Sequence, residues 1–489
     1  MNYDIAIIGN GIISYVTAYS LLQEDPGLKI AIIGKKNRYG SGTIAAGAML
    51  NVFAEVTNRT LSSAAAKTKF EMAIQASKLW KNWINELNEN FPLHKKLKID
   101  QGTFVILNAR SGRLDCENYQ AIIDTLKFYQ EPYTEIKASD IPGLNSLEDA
   151  RPLNSLYIPN EGCISSLEML EALENILSSY HNVMLVDDVA TEIQYISGAT
   201  NGVKTLNKGV FSTRQVILAA GVYSQQLIDQ IPEIKDNIPR ILSGVGYSLL
   251  IKEHSTPIQH AIRTPNRAGA CGLHALPRGD STLYIGATNN IQVDPQLVPT
   301  AGLIKFLLNC AIEQIDQDIY KSQLFGWHVG NRPVPIDTFP LIGETSIKGL
   351  WMLTGTYRDG FLQSPLLGQN IAAQILGKPG ILNNNEIFLP ERSLIQTMSK
   401  EESIQEYLLH YLSGCYEHKI KLPNFLSEDK FRKFIEDQAQ KVYEKLGTNF
   451  GLSSEMMIMF FFDSNPEQRI AYFKDYFSKI KYKSLAPQE

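Results

Sequence analysis

Residues 1–36 read MNYDIAIIGNGIISYVTAYSLLQEDPGLKIAIIGKK. An apolar run over 3–8 stops at Gly9, which predicts a buried parallel strand. Gly9-Asn10-Gly11 follows, and then Ile12, Val16, Tyr19 and Leu22 recur at helical spacing until Asp25-Pro26-Gly27 ends the helix. A second apolar run spans 28–33. This is a strand–glycine turn–helix–strand unit of about thirty residues, the arrangement that a dinucleotide site needs. Gly9 permits the tight turn and Gly11 lets the backbone approach a pyrophosphate. The helix start then offers free N–H groups and partial positive charge. Two positions depart from that pattern. Ser14 replaces the third glycine and is small enough for close helix–strand packing. Gly34 stands where an acidic residue would hold a ribose hydroxyl, removing a charge-assisted hydrogen bond worth roughly 1.5–3 kcal/mol. Lys35 and Lys36 follow, so a lysine meeting a phosphate is one alternative, and an ordinary strand–turn–helix unit is another.

The whole chain has 489 residues, 44% hydrophobic and 20% charged, which predicts a globular protein of two to four domains. Its formal net charge of −5 argues against a nucleic-acid binder. The five cysteines show no CxxC spacing, and the eight histidines form no HExxH pair, so neither a disulfide framework nor a metal site is expected. No apolar run approaches the ~20 residues that span a bilayer. Asp4 and Gly9 interrupt the only candidate leader, so a soluble cytoplasmic protein is expected.

Four more segments stand out. Residues 40–55 (GSGTIAAGAMLNVFAE) are so rich in glycine and alanine that they suit a backbone lying close to a flat ligand. VILAAG (216–221) reads as a strand ending in Ala220-Gly221. GNRPVPIDTFPLIGE (330–344) and LWMLTGTYRDGFLQSPLLGQNIAAQIL (350–376) complete the set. With PNEGCISSLEMLEAL (159–173) and HALPRGDSTLYIGAT (274–288), these occur in a familiar order. The chain resembles the FAD-dependent amino-acid and amine oxidoreductases of the D-amino-acid oxidase superfamily, closest to the glycine oxidase branch. The resemblance covers about residues 1–380.

That resemblance implies a mixed α/β fold. A Rossmann-like FAD-binding domain (1–56, 155–228 and 333–380) is interleaved with an antiparallel-sheet substrate domain (57–154 and 229–332). Carried over by position, Gly9, Gly11, Ile12, Ile13 and Ser14 belong to the pyrophosphate turn, and Gly34 and Lys35 to the adenosine ribose. Gly42, Thr43, Ala46, Gly47, Ala48 and Met49 run along the ribityl chain and isoalloxazine. Val189 meets the adenine through its backbone, with Ala220 and Gly221 completing the cradle. Gly355, Thr356, Asp359, Gly360 and Phe361 wrap the pyrimidine end. FAD is expected to be noncovalent, because no cysteine or histidine sits at a recognisable linkage position. Arg332 and Arg358 are the expected carboxylate ligands, since a planar guanidinium pairs both carboxylate oxygens; two structural loop arginines are the plainer alternative. Tyr357 and His274 are expected in the same pocket, His274 where relatives often carry tyrosine. His328 is a candidate of similar rank.

The activity implied is oxidation of a small amino acid or amine to an imine, with electrons passing to O2 to give H2O2. The alternatives are a dehydrogenase with another acceptor, one acting on a carrier-bound aminoacyl group, a tRNA-modifying oxidase-like protein, or a scaffold without flavin. Residues 381–489 lie outside the resemblance and read as a helical extension. Ile404, Tyr407, Leu408, Tyr411 and Leu412 mark one helix. Ser427 caps a second, carrying Phe431, Phe434, Ile435, Val442 and Leu446 and ended by Gly447. Pro466 opens a third, with Ile470, Phe473, Phe477 and Ile480 on one face. MMIMFFF (456–462) is too short to span a membrane. A packed appendage, or a docking module for a partner protein or carrier, is expected, and a homo-oligomer is compatible with both. The tail KIKYK (479–483) is too short for a membrane anchor.

Overall fold

The computed structural model describes residues 2–252, 257–382, 385–461 and 465–482. Asn383 and Asn384 of the expected linker, Phe462 and Lys483 lie outside them. Ile5–Ile8 and Ile30–Ile33 are parallel strands, fully buried and in register from Ile5↔Ile30 to Ile8↔Ile33. Their continuous apolar character is what burial on both faces demands. Gln215–Leu218 joins the other side of Ile5–Ile8, followed by Leu350–Thr354 and the antiparallel Leu341–Glu344, while Val183–Val186 closes the far edge. Helix Ile12–Glu24 packs against helix Gly360–Ile375. Gly368 allows this approach, since a Cβ there would lie 3.0 Å from Val16 Cγ1.

The second sheet has nine strands and is mostly antiparallel. Its spine is the pairing of Ile241–Lys252 with Gln323–Pro335, from Ile241↔Pro335 to Lys252↔Gln323. A three-stranded sheet formed by Ala190–Ile196, Ala199–Thr205 and Gly209–Ser212 stands beside the first. The expected α/β architecture with an antiparallel-sheet layer is therefore present.

The C-terminal region is helical at Lys400–Glu417, Glu428–Leu446, Ser454–Ile458 and Pro466–Lys479. The local signals act as expected: the Ser427 hydroxyl accepts from Lys430 N, Gly447 ends its helix in the left-handed region at φ 67°, and Pro466 opens the last helix. One expected core residue is misplaced. Phe434 is 56% exposed, because Ile435, Ala439, Val442, Tyr443 and Leu446 form the buried stripe. That stripe shares one apolar core with Leu242, Val334, Ile336 and Tyr357. The helices therefore pack directly on the second sheet rather than forming an isolated appendage. No described helix is long and apolar enough to cross a membrane.

Candidate active site

A cavity of about 800 Å³ lies between the two large sheets, and the ends of the first sheet's parallel strands open into it. Its first wall is the glycine turn. Gly9 has φ 119°, and a Cβ there would sit 2.3 Å from the Ala219 carbonyl oxygen, so only glycine fits. Ile12 N–H donates to Thr43 Oγ1 at 3.2 Å, tying the helix start to the second glycine segment. That segment is held by its own carbonyls. Ala45 O accepts from Tyr284 OH at 2.7 Å, and Gly47 O accepts from Arg278 Nη2 at 2.7 Å. Ser166 Oγ donates to Ala46 O at 3.2 Å.

Gly11, Ile12, Ile13, Gly34, Lys35, Gly42, Thr43, Ala46, Gly47, Ala48 and Met49 all line the cavity, as do Val189, Ala220, Gly221, Thr356, Asp359, Gly360 and Phe361. Two expected residues do not. Ser14 is fully buried, its Oγ donating to Ala219 O at 3.4 Å, and it packs the helix against the strand instead. Gly355, at φ 71°, turns the chain where a Cβ would sit 2.7 Å from Pro335 Cγ. Val189 lines the cavity, but its N–H donates to Asp188 and its C=O accepts from Leu206 N.

The missing acid at position 34 has a structural counterpart. A Cβ on Gly34 would lie 2.6 Å from Asn10 Cγ. Asn10 fills that space and donates from Nδ2 to Lys35 O at 2.9 Å. An acidic side chain at 34 therefore collides with Asn10 unless the Asn10 side chain moves. Arg38, which the sequence did not single out, donates to Asn10 O at 2.9 Å and pairs with Glu174 and Tyr15.

At another part of the cavity, Arg263, Arg332 and Arg358 converge with Glu55, Asn266, His274 and Tyr357. Glu55 and Arg263 form a close ion pair, with Arg263 only 1% exposed. Arg358 Nη1 lies 3.7 Å from Glu55 Oε2 and 3.3 Å from Asn266 Oδ1. Burial alone would raise the Glu55 carboxyl, but Arg263 and then Arg358 outweigh it and hold it at about 2. The backbone just before Glu55 is fixed by the buried Glu161, whose carboxylate accepts from Val52 and Phe53 N–H at 2.7 and 2.5 Å.

Arg332 differs from its neighbours. Its Nη1 donates to Gly244 O, Thr288 O and Asn289 Oδ1 at 3.2–3.4 Å, all neutral acceptors. Among the described residues no carboxylate lies within ion-pair distance of it. His274 is buried, with Nδ1 3.1 Å from Gly272 O, which fixes the proton on Nδ1. Burial, with the Arg263 charge next, pushes its imidazole down to about 3, so it is neutral. Its ring stacks on Tyr284 at 5.8 Å. His328 lines neither this cavity nor the smaller one beside it. Among the described residues no group of His, Cys, Asp or Glu could hold a metal.

A glycine-rich cradle, closed to a side chain at Gly9 and running from a helix start to a cationic pocket, defines a dinucleotide-cofactor oxidoreductase. The residues fit FAD: the pyrophosphate turn, the close backbone at 42–49 and the 356–361 wall face one continuous space. Residues 4–374 match the FAD dependent oxidoreductase family, DAO, and the chain belongs to it. It is an FAD-dependent enzyme. It is 22% identical over 372 residues to the glycine oxidase of Geobacillus kaustophilus (strain HTA426), covering 76% of this chain and 92% of that one. The bifunctional protein ThiO/ThiG of Synechocystis sp. (strain ATCC 27184 / PCC 6803 / Kazusa) is 23% identical over 397 residues, 81% of this chain but only 54% of its own length. The crystal structure of glycine oxidase from Bacillus cereus ATCC 14579 superposes with a TM-score of 0.67 at 22% identity, covering 81% of this chain and all of that one.

Proposed function

We propose that the protein oxidises the C–N bond of a small amino acid or an N-substituted glycine-like amine. The observation that carries this is the charge balance of the reactive pocket. Arg263, Arg332 and Arg358 face Glu55, the neighbouring Asp359 is paired with Lys69, and Arg332 has only neutral partners among the described residues. A substrate carboxylate supplies the missing anion, paired by Arg332 and shared with Arg358. The names of the glycine oxidase relatives support this substrate class.

Arg332 and Arg358 bind the carboxylate and so fix the position of the α-carbon. His274, protonated on Nδ1, presents Nε2 as an acceptor only, which suits a substrate N–H. Phe361 and Tyr357 help to exclude water from this end of the cavity. When bound, FAD supplies the acceptor for the two electrons removed from the substrate. The imine then takes up water to give a carbonyl compound and ammonia or an amine. With O2 as final acceptor the balance is substrate plus O2 plus water to carbonyl compound, amine and H2O2. Anaerobic mixing of the purified enzyme with a panel of amino acids and N-alkylglycines tests the reading. Bleaching of the flavin absorbance is expected, with H2O2 on readmitting air. Equal turnover of amines lacking a carboxylate would overturn the assignment.

A further inference from the structure

A second cavity, of about 250 Å³, adjoins the reactive one. The two share Glu55, Asn266, Tyr357 and Arg358 in their walls. The second is closed partly by residues beyond the family match: Glu406 and His410 of helix Lys400–Glu417, and Ser453 to Glu455. Arg59 and Arg267 line the same space.

Its polar groups are incompletely paired. Arg59 Nε, Arg267 Nε, His410 Nδ1 and Ser453 Oγ are buried without a hydrogen-bond partner among the described residues. Arg267 is 6% exposed and His410 8%. The ion pairs around the cavity are long, with Arg59–Glu406 at 4.0 Å and Arg267–Glu417 at 3.7 Å. Glu455 is 9% exposed and accepts a hydrogen bond from Ser454 Oγ at 3.1 Å, and among the described residues no cation pairs with it. Arg59 and Arg267 have carboxylates only at 3.7–4.0 Å, so their Nε–H groups can take a closer anionic acceptor, while Glu455 can take a cationic donor. A simple anion leaves Glu455 without a donor cation, and a simple cation leaves the Nε–H groups without a hydrogen bond. A small zwitterion answers both within this volume.

We propose that this cavity is a second binding site for a small amino-acid zwitterion, an anteroom from which the substrate reaches Arg358 and Arg332. The ammonium faces Glu455 and the carboxylate faces Arg59 and Arg267. Arg358 and Glu55, 3.7 Å apart in the common wall, stand between the two cavities. The proposal rests on the reading of the substrate as an amino acid, and the test separates the two.

The probe is labelled glycine, dialysed to equilibrium against the FAD holoenzyme held reduced without oxygen, so that none is consumed. Two glycines per chain are expected for the native protein and one for Glu455→Gln. In rapid mixing with oxidised enzyme, Glu455→Gln should raise the half-saturating glycine concentration about tenfold, with the limiting rate of flavin reduction within twofold of native. Should Glu455→Gln fail to fold, Ser62→Trp at the exposed rim of the cavity is expected to raise the half-saturating glycine concentration in the same way. One glycine per native chain, or stoichiometry and half-saturation unmoved by either variant, would show a cavity holding only water and overturn the proposal. Two bound glycines with no flavin reduction by any amino acid would sustain the site and overturn the proposed oxidation instead.

Discussion

Replacing Glu55 by glutamine should destabilise the folded protein more than any other single change in the reactive pocket. The carboxylate is bonded to Arg263, lies near Arg358 and accepts from Asn266 Nδ2 at 3.2 Å. Holding the carboxyl at about 2 instead of 4.5 corresponds to about 3 kcal/mol. A quarter of the side-chain surface stays accessible, which lowers this to about 2 kcal/mol. Glutamine also leaves Arg263 buried without its counter-charge, and stranding one partner of a buried pair costs roughly 3–5 kcal/mol. The expected loss is therefore about 2–4 kcal/mol at neutral pH. Because the folded value lies below the unfolded one, this stabilisation is complete above about 4.5 and is lost as the pH falls toward about 2. The assay is urea unfolding of the holoenzyme, followed by far-UV circular dichroism and flavin fluorescence between pH 4 and 8. Arg263→Met and the double variant complete a cycle, with a coupling of about 2 kcal/mol or more expected. A Glu55→Gln protein within about 0.5 kcal/mol of native at pH 7, or strictly additive losses in the cycle, would refute the argument.

Arg332→Met should raise the half-saturating substrate concentration ten- to a hundredfold, the loss of one charged hydrogen bond of roughly 1.5–3 kcal/mol, while the visible flavin spectrum is unchanged. Gly34→Glu should weaken FAD binding in titrations of the apoprotein because of the collision with Asn10, and Asn10→Gly in the same chain should recover at least part of the loss. With His274 held at about 3, its protonation adds no inflection to the kcat/KM profile between pH 5 and 8, and a His274→Phe profile should have the same shape as the native one. Truncation at residue 380 should give insoluble or flavin-free protein, since it uncovers Leu242, Val334 and Ile336; a soluble yellow truncation product would count against this.

The parts of the fold that were legible in the sequence are those whose cause is local. The runs at 3–8 and 28–33 are continuous because both faces of a parallel strand are buried. Ser427, Gly447 and Pro466 act within one turn of their own helices. The glycine segments were legible as a cradle, but a small residue serves a ligand and a packed neighbour equally well. Ser14, already read as a packing residue, and Gly355 belong to the second case, and for Gly355 only the position of Pro335 reveals it. Glu55 carried a faint signal, as the sole charge in the segment 40–55. Its partner Arg263 lies 208 residues away in a stretch with no motif, so the buried pair had no local signature. Asn10 and Gly34 form another such pair: Gly34 stood out as a missing acid, but that Asn10 fills its space shows only when the two strand ends are set side by side.

The same reasoning explains the C-terminal region. Read alone, its apolar stripes demand a partner without naming one. In the structure the partner is the chain's own second sheet, through Leu242 on one spine strand and Val334 on the other. Register Leu242↔Val334 places these side by side, and Arg332 lies on the same strand two residues before Val334. Successive side chains on a strand alternate between faces, so Arg332 and Val334 share one. The face that carries a reactive-pocket arginine thus continues directly into the core covered by the C-terminal helices. Tyr357 belongs to that core and lines both cavities. Helices Lys400–Glu417 and Ser454–Ile458 therefore back the sheet that carries the reactive-pocket arginine, and the second cavity opens between them and Arg358.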